Sequence, residues 1–217
     1  MRFSPIIWDV DGTILDSGAE IFERVTRVVE LLKYPALDQA QLRRFIGPPL
    51  IESFEKIAGM SPADAKLATQ HTRAMAEDLP PDYLVSLYPG VAELIQQLHS
   101  LGVPQAVASS KAQWQVERGL EHFGLADCFV SLWGADIPAG RIHKHEMIAG
   151  AVADLTAAGF DAAGGVMIGD RIHDLEGAAR CGLPTIIVEW GFGDGEKTPG
   201  AYGRASTAAE LQRMLEL

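Results

Sequence analysis

The sequence predicts an α/β fold: a doubly wound, Rossmann-like parallel sheet with a small all-helical domain inserted after the first strand. Three observations predict it. From about residue 82 onward, short apolar runs alternate with amphipathic segments. From about 18 to 80 the patterning is only helical. The strand-like runs are nearly free of charge but end in polar or acidic residues, as in buried parallel strands whose carboxyl ends face a ligand.

Pro5 to Trp8 is a short apolar run that stops at Asp9-Val10-Asp11-Gly12-Thr13, which reads as a strand entering a polar loop. Ser17 and Glu20 have the spacing of a capping box. Ile21, Val25, Val28, Val29 and Leu32 follow at helical spacing. Helices are expected over about 18–33, 38–45, 49–59 and 62–78, separated by Tyr34-Pro35, Gly47-Pro48-Pro49 and Gly59-Met60-Ser61-Pro62. After Pro80-Pro81 the expected order is helix 89–101, strand 104–108, helix 111–123, strand 128–133 and helix 143–158. Strand 165–168, helix 173–181, strand 184–188 and a last helix near 207–217 complete it. The expected core is therefore residues 1–16 and 82–217, and the helical insert is 17–81.

A chain of 217 residues can bury a sizeable core. Its 18 Lys and Arg against 29 Asp and Glu give a net charge of −11, which disfavours nucleic acid and anionic lipid as partners. Cys128 and Cys181 form no CxxC pair, so neither a disulfide framework nor a cysteine zinc site is expected. Both lie in apolar surroundings and read as small core residues. No apolar stretch approaches the roughly 20 residues of a membrane span, and the N-terminal run is too short for a signal peptide. The expected location is the cytoplasm, with no membrane partner.

Four segments follow the expected strands: Asp9 to Thr13, Ser109-Ser110-Lys111, Gly134-Ala135-Asp136 and Gly169-Asp170. They converge on one sheet edge. Asp9, Asp11, Asp170 and Asp174 then form a carboxylate cluster, and crowded carboxylates need a cation. An all-oxygen site suits Mg²⁺. Ser109, Lys144 and the helix N-terminus after Ser109 offer donors to a phosphate. Asp9 and Asp11, two apart in an extended segment, can point the same way. One carboxylate can attack phosphorus while the other serves as acid and base. Gly12 lets the chain turn away.

Asp9-Val10-Asp11-Gly12-Thr13, the Ser109 step, Lys144 and Gly169 to Asp174 together resemble the four motifs of the haloacid dehalogenase superfamily, in its phosphatase branch. Order and spacing agree across about residues 5–190. The helical insert resembles the family's small cap. Phe45 to Leu50, with Glu189 to Gly193, is similar to the phosphoglycolate-phosphatase and 5′-nucleotidase-like subgroup.

The resemblance implies a phosphoric monoester hydrolase acting on a small phosphate ester, as a monomer or homodimer. It implies Asp9 as nucleophile and metal ligand, and Asp11 as acid/base binding metal through its backbone carbonyl. Asp170 is implied as a Mg²⁺ ligand and Asp174 as its support. Asp9, Gly12, Thr13, Ser109, Ser110 and Lys144 are the implied phosphate-binding set, Lys144 also steadying Asp9. Asp11 argues against dehalogenation, since true dehalogenases lack that second aspartate. A 5′-nucleotidase, a sugar-phosphate phosphatase, a phosphosugar mutase and a non-catalytic binding module are the alternatives.

Trp8 reads as core filler. Arg43 and Arg44 offer charge to a substrate carboxylate or distal phosphate, or simply face solvent. Arg171 and His173 lie within the fourth motif, with a surface or supporting role expected for His173. Gly47-Pro48-Pro49 is either a cap loop that meets substrate or a helix break. The Gly191 to Gly195 loop follows the wrong strand for a nucleotide-binding glycine motif.

Overall fold

The computed structural model describes residues 2–193 and 197–216. Its central strand is β1 (Ile6–Trp8), where the continuous apolar run buries both faces. Ile6 and Trp8 join the cluster on one side of the sheet and Ile7 the cluster on the other, the alternation a strand imposes. Trp8 is fully buried, and its indole Nε1 donates to Gln105 Oε1 at 3.0 Å.

The chain leaves β1 through β2 (Leu15–Asp16) into four helices: α1 (Gly18–Leu31), α2 (Gln39–Arg43), α3 (Leu50–Lys56) and α4 (Pro62–Glu77). It returns through β3 (Ser86–Leu87), which pairs antiparallel with β2, Leu15 opposite Leu87. Then come α5 (Val91–Ser100), β4 (Gln105–Ala112), α6 (Gln113–His122), β5 (Ser131–Ala135) and α7 (Lys144–Ala157). The chain ends with β6 (Val166–Gly169), α8 (Ile172–Arg180), β7 (Thr185–Val188), β8 (Gly203–Ala205) and α9 (Ala208–Met214).

The sheet order is β5-β4-β1-β6-β7-β8, with every neighbouring pair parallel. The chain builds outward from β1 through β4 to β5, then crosses to β6 on the other flank. The order reverses at β1, so the crevice for a ligand opens beyond its carboxyl end, at Asp9. Val91, Leu94, Ile95, Leu98 and Leu120 pack one face of the sheet. Met147, Ile148, Ala151 and Leu155 pack the other. The four helices of the insert share an apolar cluster around Val25, Val28, Phe45 and Phe54, which Phe192 of the core joins.

The doubly wound sheet with a helical insert after β1 matches the expected fold. Some details differ. Ser17 precedes α1 but makes no side-chain cap: its hydroxyl donates to Asp11 Oδ1 at 2.6 Å, and Glu20 pairs with Arg24 instead. The Ser17 side chain is positioned by Asp11 and makes no bond to the helix N–H groups. Residues 128–133 were expected as a strand, but Ala126–Cys128 is a 3₁₀ turn and β5 starts at Ser131. β4 runs on to Ala112, past the expected helix start at 111. The strands β2, β3 and β8 were not expected, because two or three residues carry no readable period. Residue 217 of the expected last helix and 194–195 of the Gly191 to Gly195 loop lie outside the described residues.

Candidate active site

Asp9 is still in sheet register, its backbone N–H donating to Ile168 O at 2.9 Å. Gly12, at φ +86°, turns the chain away. A Cβ there would sit 2.2 Å from Asp170 Oδ2, and one at Gly169 would sit 2.2 Å from Asp174 Cγ. Both positions need glycine because carboxylates press on the backbone.

Asp9, Asp170 and Asp174 are buried, and each offers a carboxylate oxygen within 4.8 Å of the others. Lys144 opens α7 and reaches between them, its Nζ 2.6 Å from Asp9 Oδ1 and 2.8 Å from Asp174 Oδ1. It also donates to Ala108 O at 3.2 Å. Asp174 Oδ2 accepts the Arg171 backbone N–H at 3.0 Å, and Asp170 Oδ2 accepts that of Phe192 at 2.6 Å. Asp170 Oδ1 is buried with no hydrogen-bond partner.

Three carboxylates thus face one ammonium. Burial raises the Asp9 carboxyl to about 6, Lys144 pulling it down and Asp174 adding repulsion. Burial, then Asp174 and Asp9, drives Asp170 well above the usual range. Burial works against the Lys144 ammonium, yet Asp174 and Asp9 hold it above its ordinary value. The donor set fits a hard divalent ion: all ligands are oxygen, one oxygen lacks a partner, and the uncompensated charge is that of a divalent cation.

Asp11 stands outside this trio. Its carboxylate accepts from Ser17 Oγ and from Lys111 Nζ, the latter at 2.9 Å to Oδ1 and 3.3 Å to Oδ2. Asp9, Asp11, Ser109, Ser110 and Lys111 line one cavity beyond the sheet edge. The helical insert supplies its other wall, including Phe45, Ile46 and the Gly47-Pro48-Pro49 loop, so that loop faces the cavity.

The remaining expected residues are placed as follows. Thr13 is fully buried, its hydroxyl without a partner, and neither it nor Gly12 is among the residues lining the cavity. Lys144 borders a neighbouring hollow with His143, His145 and His173. Arg43 and Arg44 line a third hollow with Arg171 and His173, away from Asp9. Cys128 and Cys181 are free thiols, buried and half-buried. Two side chains escaped sequence reasoning. Lys111 was visible only as the tail of the Ser109-Ser110-Lys111 segment. Arg73, on α4 in the cavity wall, was hidden on a helix face whose direction the pattern left open.

Comparison with known proteins identifies the family and the fold. The family model for haloacid dehalogenase-like hydrolases matches residues 6–188. A 5′-nucleotidase of Pseudomonas aeruginosa is 33% identical, over 100% of this chain and 97% of its own length. The tyrosine-protein kinase PtkA of Mycobacterium tuberculosis is 31% identical over 87% of this chain and 62% of its own. A phosphoglycolate phosphatase of Synechococcus elongatus is 30% identical over 87% and 85%. The crystal structure of a predicted phosphatase from Clostridium acetobutylicum superposes with a TM-score of 0.89 over 100% of both chains, at 28% identity. Among the described residues no helix is long and apolar enough to cross a membrane. The chain belongs to the haloacid dehalogenase-like hydrolase family, among its phosphatases.

Proposed function

We propose that the chain is a magnesium-dependent phosphatase that hydrolyses a small phosphate monoester, phosphoglycolate-like, through an aspartyl-phosphate on Asp9. The observation that carries this reading is the buried trio Asp9, Asp170 and Asp174, with one ammonium among them and one oxygen left without a partner. Asp9, Asp170 and the backbone carbonyl of Asp11 would hold Mg²⁺, with Asp174 in support. When bound, the ion neutralises charge on the trio and on the phosphoryl oxygens.

Asp9 attacks phosphorus as the bond to the leaving oxygen breaks. Asp11 gives that oxygen its proton, then takes one from the water that attacks the aspartyl-phosphate, which releases phosphate and frees Asp9. Lys144 orients Asp9, and with Ser109, Ser110, Gly12 and Thr13 makes up the phosphate-binding set. Residues 17–81 act as a cap over the core of 1–16 and 82–217, and the enzyme works in the cytoplasm.

Nucleoside 5′-monophosphates are the second substrate class, supported by the full-length likeness to a 5′-nucleotidase. A phosphate-release screen over small esters with Mg²⁺ tests the reading. Turnover is expected to vanish reversibly with EDTA and to be lost in Asp9→Asn with the fold intact. Substantial turnover in Asp9→Asn rules out the covalent route.

A further inference from the structure

The cavity holds four cationic side chains or has them at its edge, and three are already engaged. Lys144 is held by Asp9 and Asp174, and Lys111 by Asp11. Arg24 on α1 reaches the wall, but Glu20 and the Thr72 carbonyl occupy its guanidinium. The fourth is Arg73. It lies four residues after Thr69 on α4, on the same helix face, and both line the cavity with Asp9 and Ser109. Its Nε is buried without a hydrogen-bond partner. No carboxylate of the described residues pairs with it. The carboxylate that acts on its charge is that of Asp136, which lies 3.5 Å from Arg141.

We propose that Arg73 selects the substrate by binding a second anionic group, a carboxylate or a second phosphate, on the alcohol of the phosphate ester. This rests on the phosphatase reading above. Burial lowers the Arg73 pKa, with Asp136 opposing, so the charged guanidinium lacks compensation in the resting cavity. A guanidinium presents a planar fork of donors that matches a carboxylate or phosphate in bidentate fashion. Phe45, Ile46, Ile51 and Ile137 contribute apolar surface to the same cavity, and a charged pair is stronger beside low-dielectric groups than in bulk water. An ester with an uncharged tail leaves the Arg73 Nε unsatisfied, the condition under which a site rejects an analogue.

Four esters test this with Mg²⁺: 2-phosphoglycolate, propanediol bisphosphate, ethyl phosphate and AMP. The readout is the ratio of kcat/KM for each anionic-tail ester to that for ethyl phosphate. At least one anionic-tail ester is expected to exceed both ethyl phosphate and AMP, and which one does separates carboxylate from phosphate. Arg73→Gln is expected to lower that ratio about 100-fold, with Arg73→Lys retaining part of it. An unchanged ratio in Arg73→Gln overturns the inference. If Arg73→Gln does not fold, a wild-type preference for AMP or ethyl phosphate over both anionic-tail esters overturns it, and the opposite preference, weakened in Arg73→Lys, supports it. If the wild type turns over none of the four, the phosphatase reading fails by itself. Calorimetric affinity of wild type and Arg73→Lys for 2-phosphoglycolate against ethyl phosphate then decides: equal affinities overturn the Arg73 assignment, and a preference that Arg73→Lys weakens upholds it.

Discussion

The sheet edge and the helical insert face each other across one cavity and are built on opposite principles. At the sheet edge charged groups hold one another: Lys144 serves Asp9 and Asp174, and backbone N–H groups of Arg171 and Phe192 hold Asp174 and Asp170, leaving Asp170 Oδ1 and the Thr13 hydroxyl unanswered. The insert presents mainly carbon, with Phe45, Ile46 and Pro48 in the wall, and one arginine whose Nε nothing answers. A site that must perform one reaction is preorganised by mutual contacts. A site that must recognise a variable partner keeps its donor waiting. The difference separates chemistry from selection within a single cavity.

The most forceful way to break this comparison is at Asp9. Asp9→Asn is expected to cut kcat by at least about 10³-fold, without shifting the ester preference of residual binding. A change in preference measured by calorimetry would show that the sheet edge also selects. Next is the apolar cluster of the insert. Phe54 is fully buried, with its ring 5.1 Å from that of Phe45. Phe54→Ala is expected to cost about 3–5 kcal/mol by chemical denaturation. Faster hydrogen exchange should follow in α3 and α4, with β1 and β4 still protected. Equal loss of protection in the sheet would make the two regions one cooperative unit.

A subtler test uses pH. Asp9 and Asp170 are both raised above the ordinary carboxyl value of 3.8, Asp9 to about 6. Without metal the folded chain binds more protons there than the unfolded chain. That stability is present below the unfolded value and lost as pH rises through the folded one. The Tm gain from adding Mg²⁺ over EDTA should therefore grow from about pH 5 to about pH 8. A constant gain would remove the trio from the metal site. The smallest effect is expected at Arg44, which is exposed and lines a different hollow from Asp9. Arg44→Ala should change kcat/KM for any ester by less than about twofold.

What the sequence made legible follows the same division. β1, β6 and β7 were readable because buried parallel strands are continuous apolar runs, and Asp9 and Asp170 stand just beyond β1 and β6, with Asp174 in the first turn of α8. Asp9, Asp170, Asp174 and Lys144 meet in space because the parallel topology leaves their segments little choice. The insert was legible as helices but not as faces. Arg43 and Arg44 drew attention as a pair, yet the arginines in the cavity wall are Arg24 and Arg73, each isolated in the sequence. Helical period fixes which residues share a face, not what that face meets. Ser17 failed as a cap for a related reason: its competitor, Asp11, is six residues away and approaches only once Gly12 has turned the chain.

The two-stranded ribbon at the base of the insert has a consequence for how such an enzyme changes over time. Leu15 and Leu87 are paired neighbours, so the whole stretch between them enters and leaves the core at one spot. Closing that spot with a different length of chain changes the loop-closure entropy only slowly, leaving the contacts of Phe192 and Arg171 with the insert as the ones to be remade. Adjacent entry and exit points are where inserted domains are generally tolerated, and β2 and β3 supply them here. A new wall, with a differently placed cation, can therefore be fitted over an unchanged reaction centre. The ribbon makes recognition a replaceable part.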